Sequence, residues 1–415
     1  MSSLHFLDEA QPIIEQFGNH TKRYQFQYKK SWRNFTDRLQ DQNRSYDEYF
    51  FNLWPESEYQ LMLMEQLGRS TDERIDFIKL FFAFHYLKMN VECVRILDES
   101  FSERLETPYN IYRNVLIKVR QVFFTLSRGI MNRLSYYLAT PAELPRYTFI
   151  NVGSLIDHED LDLGVVYAGE QSLEEFDRFV SRLSQKFFQT VTHLHFYLAE
   201  ALNIDHYGGN IDIYLDYLNQ NNDDFVFVNQ VLGATRLIGD MDLFYEFKAR
   251  IVERYFRSDS EHLRHYLDLA SQEIERLCNV PLGKDTIRPK AECYRIFTLL
   301  ASALRLANQI HRGNIWETFD QFLRVDFENR IFYELLKDSY AFVQILRYLF
   351  NLFVTQKDEI CFNDPVEGKW LDFIAKLMGM RDRSVLYNDY QYIADRGRES
   401  ALYLAYQLRT KCLQR

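Results

Sequence analysis

Apolar residues recur three and four positions apart from Leu4 to about Thr140, the period of helices that each bury one stripe. Breaks at Gly18, near Asn43, at Gly68 to Ser70 and around Thr107 to Pro108 divide this stretch into five or six helices. Phe77 to Met89 (FIKLFFAFHYLKM) is apolar nearly all round and is expected at the centre of its layer. Thr21 to Phe35 mixes aromatic with charged residues and is expected at the periphery.

The period changes after Pro141. Arg146 to Val152 (RYTFINV), Leu161 to Gly169 (LDLGVVYAG) and Asn210 to Tyr217 (NIDIYLDY) are rich in β-branched and aromatic residues and read as strands. Between the second and third, Phe176, Val180, Leu183, Phe187, Val191, Leu194 and Leu198 step by three or four. They predict one amphipathic helix, opened by a capping box at Ser172 and Glu175. His193 and His195 would sit two apart on that helix and point different ways, which argues against a shared zinc; His158 reads as a surface loop residue.

Past Arg257 the helical period returns. Pro289 suits the first turn of a helix ending at Gly313, Glu328 to Val354 supplies another, and Asp364 to Gly368 marks a turn before the last two. The most apolar run, YAFVQILRYLFNLFV from Tyr340, is interrupted by Gln344, Arg347 and Asn351 and is too short to span a bilayer, so it reads as a core helix. The expected architecture is mainly α: an N-terminal helical region over 1–140, a central α/β domain with a small mixed sheet over 141–258, and a C-terminal helical bundle over 259–415.

Composition narrows the partners. Across 415 residues, Lys+Arg 49 against Asp+Glu 59 leaves a net charge of -10 with no basic run, which disfavours nucleic acid. The five cysteines are odd in number and never in CxxC spacing, which fits neither a disulfide framework nor a zinc knuckle. Asp8 and Glu9 interrupt the N-terminus where a signal peptide needs an apolar stretch, so the expectation is a cytoplasmic protein without a membrane span.

The chemistry-bearing pattern is Gly153-Ser154 at the end of one strand, then Asp160-Leu161-Asp162 at the start of the next. Side chains two apart on a strand share a face with Cα atoms about 6.5–7 Å apart, so two carboxylates can converge on one or two cations. Mg²⁺ (or Mn²⁺) suits such oxygen ligands and completes its shell with water and substrate phosphates. Gly153 would let backbone approach a phosphate, and Ser154 would offer a hydroxyl and an amide. The third carboxylate is sought on a neighbouring strand, where NIDIYLDY supplies Asp212.

With these residues in place, the chain resembles the polymerase-β-like nucleotidyltransferases, whose signature is a strand ending Gly-Ser, then Asp-x-Asp, then a later strand Asp. It is most similar to their PII-protein uridylyltransferase and glutamine-synthetase adenylyltransferase branch. NVGSLIDHEDLDLGVV, VLGATRLIGDMDLFYEFKARIVERYF and IRPKAECYRIFTLLASALRLA carry the likeness, over roughly Arg146 to Val354. It implies metal-dependent transfer of a nucleoside monophosphate from a nucleoside triphosphate to a protein or small-molecule acceptor. By match, Asp160, Asp162 and Asp212 would hold metal and carry catalysis, and Gly153, Ser154, Arg288 and Arg295 would hold the triphosphate. The chain departs from the branch in a linker of five residues, Leu155 to Glu159, between Gly-Ser and the first Asp. The expected third strand lacks the branch's arginines, and Glu292 and Cys293 replace its paired glycines. A member that binds a nucleotide or a partner protein without transfer is the alternative these departures imply.

Overall fold

The computed structural model describes residues 5–42, 44, 59–103, 108–138, 144–153, 160–169, 173–221, 223–255, 260–310 and 315–413, with Asp160 described by its backbone alone. It is mainly α-helical around a small mixed sheet, as the hydrophobic periods predict. Two short helices, α1 (His5–Glu9) and α2 (Gln11–Ile14), lead into α3 (Asn19–Gln42), which begins directly after Gly18. Then come α4 (Tyr59–Gln66), α5 (Thr71–Glu103) and α6 (Pro108–Leu138). Helix α5 is the hub on which α3, α4 and α6 pack. Its Phe77, Ile78, Leu80, Phe81, Phe82, Ala83 and Phe84 are each at most 1% exposed, so the segment that is apolar all round is central. Helix α3 is peripheral and buries Thr21, Tyr24, Ser31, Phe35 and Leu39.

Strands β1 (Arg146–Asn151) and β2 (Asp160–Ala168) pair antiparallel, with Arg146 opposite Ala168 and Asn151 opposite Leu163. Helix α7 (Leu173–Thr190) covers the sheet with Phe176, Phe179, Val180, Leu183 and Phe187. The chain then forms β3 (His193–His195), parallel to β2, and α8 (Tyr197–Leu202). The single helix expected to reach Leu198 therefore ends at Thr190; Ser172 of its expected capping box lies outside the described residues. Two things end the helix: Thr190, Val191 and Thr192 are a β-branched run that favours the extended backbone, and the edge of β2, distant in the chain, supplies the hydrogen bonds.

NIDIYLDY is also different from its expectation. It forms a helix, α9 (Ile211–Gln220), in which Asn210 caps the N-terminus by accepting from the Ile213 N–H at 3.1 Å. Ile211, Ile213 and Leu215 mimic a strand's alternation, but the buried set is Ile211, Tyr214 and Leu218, the helical period. Among the described residues of this segment, Gly209, just before it, is the one that pairs with β2, at Val166. A Cβ on Gly208 would lie 2.1 Å from the Val165 carbonyl oxygen, so this close approach requires glycine.

Helix α10 (Phe225–Gly233) leads to β4 (Thr235–Gly239), antiparallel to β1, and the sheet order is β3-β2-β1-β4. Asp240 caps the next helix, α11 (Met241–Tyr255), as its position in the sequence implies, by accepting from the Leu243 N–H at 2.8 Å. The C-terminal part comprises α12 (Glu261–Cys278), the strand β5 (Thr286–Ile287), a π-helical turn (Lys290–Tyr294) running into α13 (Arg295–Ala307), and α14 (Ile315–Val325). It continues with α15 (Arg330–Phe353), β6 (Ile360–Cys361) paired with β5, α16 (Pro365–Leu377) and α17 (Arg383–Leu413). The expected turn at Asp364 to Gly368 is instead the start of α16, with Asp364 as its cap. Tyr340 to Phe350 of α15 are all buried between α17, α6 and α14. No helix among the described residues is long and apolar enough to cross a membrane. One buried cluster runs from Leu7 to Leu408 and joins the three expected regions.

Candidate functional site

The β1–β2 hairpin brings the two halves of the glycine–aspartate pattern together. The Val152 N–H donates to the Asp162 carbonyl at 3.0 Å, which sets Gly153 directly against Asp162. A Cβ at Gly153 would stand 2.8 Å from Asp162 Oδ2 and 3.0 Å from its Cβ, so only glycine fits there. Ser154 lies outside the described residues. Asp160 pairs with His193 through the backbone, and nothing further is described of it.

The strand beside Asp162 is β3, and the residue in register with Asp162 is His195. The position sought for a third carboxylate is therefore held by an imidazole. Its Nδ1 lies 2.8 Å from Asp162 Oδ1 and its Nε2 lies 3.0 Å from Glu200 Oε2. The hydrogen bond to Asp162, helped by Glu200 and opposed by burial, holds the His195 pKa up to about 9. The ring is then an imidazolium at neutral pH, with both N–H groups donating to carboxylates. Sequence reasoning passed over His195 because it placed the residue on a helix; the Thr-Val-Thr run before it was the available signal.

These groups open onto a cleft of about 620 Å³ between the sheet and the C-terminal helices. From the α/β side it is lined by Gly153, Asp162, His195 and Tyr197, from α10 by Phe225, Asn229 and Gln230, and from the bundle by Lys290, Tyr294 and Arg295. Burial raises the Tyr197 pKa, with Asp224, Asp162 and Glu200 adding to the rise and Arg295 opposing it, so its phenol stands among all four. Much of the cleft's acid is already engaged. Asp224 accepts from the Phe227 N–H at 3.0 Å and the Tyr217 hydroxyl at 2.9 Å. Glu273 is paired with Arg276, and Asp358 with Lys290 at 3.6 Å and the buried Arg347 at 3.5 Å. Arg295 lines the cleft and makes no ion pair among the described residues; a guanidinium fork is a donor set that suits carboxylate or phosphate oxygens.

Two expected site residues stand elsewhere. Asp212 is in the first turn of α9, 69% exposed, and accepts from Arg250 at 2.6 Å. The helix replaced the expected strand and carried it away from β2. Arg288 is 62% exposed and paired with Glu359 at 2.8 Å, and it does not line the cleft.

The metal implied by the resemblance has part of a ligand set. Asp162 Oδ2 makes no hydrogen bond among the described residues and faces Gly153, where a hard cation and a phosphate could share it. Yet no group of three His, Cys, Asp or Glu that could hold a metal ion is found among the described residues. No protein-family model and no curated protein sequence matches this chain.

Proposed function

We propose that the cleft binds a nucleoside triphosphate with a divalent cation, and that the chain is a polymerase-β-like nucleotidyltransferase. It passes a nucleoside monophosphate to a protein or small-molecule acceptor. The observation that supports this most is the packing of Gly153 on Asp162 at a cleft whose far wall carries Arg295 and Lys290. Mg²⁺ or Mn²⁺ would be held by Asp162 through Oδ2 and by Asp160, and when bound it supplies charge neutralisation for the triphosphate. Arg295 offers bidentate contacts to phosphate oxygens, and Tyr294, Phe225 and Leu277 offer apolar surface to a base. In the transfer an acceptor oxygen bonds to the α-phosphorus, the bond from that phosphorus to the pyrophosphate oxygen breaks, and the acceptor's proton passes to solvent. Little covalent chemistry is asked of the protein, and positioning carries the reaction.

Incubation with α-labelled nucleoside triphosphates, Mg²⁺ or Mn²⁺ and a lysate checks this. Label should move to an acceptor with the wild-type chain and fall to background with Asp162→Ala; transfer unchanged in that variant would falsify the proposal. A second reading, nucleotide binding without transfer, is favoured by Asp212 lying on α9 and His195 standing in its expected place. It predicts retention of triphosphate with no pyrophosphate release for any base.

A further inference from the structure

We infer that Asp358 occupies the seat in which the cleft takes an anion, so that a phosphate chain must displace this carboxylate to bind. The inference rests on the nucleotide reading above and concerns the phosphates alone. Asp358 stands on the connection between α15 and β6, and its carboxylate bridges two cations without closing on either. Its Oδ2 lies 3.6 Å from Lys290 Nζ and its Oδ1 lies 3.5 Å from Arg347 Nη2. A charged N–H···O bond closes to about 2.7–2.9 Å. The Arg347 side chain is 4% exposed, and its guanidinium carbon lies 5.3 Å from the centre of the Tyr294 ring. Tyr294 lines the cleft together with Lys290, Arg295 and Asp358 itself. Three cationic groups thus gather around the π-helical turn, and one loosely held carboxylate serves two of them.

The surroundings of Asp358 explain both why it is there and why it can yield. Glu359 is tied to Arg288 at 2.8 Å, and Ile360–Cys361 pairs with β5, so the backbone beyond Asp358 is anchored and delivers the carboxylate to the cleft. The Asp358 side chain is 52% exposed, and an ion pair so open to water is weak. A triphosphate brings more charge and more acceptor oxygens than one carboxylate. It can meet Lys290 as a point charge and the Arg295 fork through two oxygens while Asp358 turns to water. Asp223 supplies the comparison: it is exposed, lines the same cleft and makes no ion pair with Lys290. It carries the same charge without holding the seat.

The test is isothermal titration calorimetry of the full chain with inorganic tripolyphosphate in metal-free buffer. Asp358→Asn keeps an oxygen for Arg347 and removes the charge. It should tighten tripolyphosphate about fivefold, the size of an exposed ion pair's contribution, whereas Asp223→Asn should change it less than about twofold. An Asp358→Asn protein, folded by its thermal melt, that binds no tighter than wild type overturns the inference. So does equal tightening by Asp223→Asn, because the cleft then responds to net charge alone. Wild-type and Asp358→Asn chains that bind a nucleoside triphosphate with Mg²⁺ but no tripolyphosphate overturn it too, and in all three cases the nucleotide reading stands. Chain that binds neither tripolyphosphate nor any nucleoside triphosphate removes that reading and this inference with it. Should Asp358→Asn fail to fold, Lys290→Met decides: binding about fivefold weaker supports the seat, and unchanged binding overturns it.

Discussion

Gly153 and Asp162 touch so closely that one methyl group tests the site. In Gly153→Ala the new Cβ would lie 2.8 Å from Asp162 Oδ2, and overpacking of that kind costs about 1–3 kcal/mol. The carboxylate is the part able to move, so triphosphate affinity measured by calorimetry should fall about tenfold or more, with a smaller change in the melt. Asp240 gives the matching test of stability. Arg146 and the Leu243 N–H hold its carboxyl down to about 2. A depressed carboxylate contributes stability that is fully present above its unfolded range near 4 and is lost as pH falls through about 2. Arg146 is 56% exposed, so the contribution is screened and stays under about 1 kcal/mol. Melts taken between pH 4 and pH 2 should show a slope that Asp240→Asn flattens; an unchanged slope would show that other carboxylates govern acid unfolding.

Helix α9 is where local signals competed, and Asn210 decided the outcome. Its side chain accepts from the Ile213 N–H and starts a helix through a segment whose alternating Ile211, Ile213 and Leu215 equally suit a strand. Asn210→Ala should cost about 1 kcal/mol, read as a lower melting temperature. Asp212→Asn, two residues on, should leave triphosphate binding unchanged, since Asp212 pairs with Arg250 on the surface. A clear loss of binding in Asp212→Asn would contradict the placement of α9. The hairpin of β1 and β2 was legible because its residues agree with their neighbours at every level: β-branched, apolar and ended by Gly153. β3 was not, because three residues carry no period of their own and the helical steps of α7 continue through them in sequence. Thus Asp162 and Gly153 could be found from the chain, whereas His195 had only the β-branched run Thr190 to Thr192 as its signal and the displacement of Asp212 only the cap at Asn210.

Across the whole molecule the N-terminal helices are part of the same core as the C-terminal bundle. Helix α6 packs on both α15 and α7, and the Tyr348 hydroxyl on α15 donates to Asn90 Oδ1 on α5 at 2.7 Å, both groups buried. Tyr348→Phe leaves the Asn90 oxygen short of a buried donor and should destabilise by about 1–3 kcal/mol. Because the contact joins first and last regions, urea unfolding followed by far-ultraviolet circular dichroism and by tryptophan fluorescence should move together. A shift confined to one probe would mean that the regions unfold separately.

The sequence by itself determined the helical character, the buried α5 and α15, and the two strands β1 and β2 with a glycine at the end of one and the aspartates at the start of the next. Each follows from interactions among residues near one another in the chain: hydrophobic period, turn residues, caps. Only the tertiary structure decided what stands beside Asp162. The open edge of β2 drew the chain at His193–His195 into a strand, set His195 in register, and let α9 carry Asp212 to the surface. Sheet hydrogen bonds between distant segments outweighed the local helical period, and such pairing cannot be read from a run of three residues.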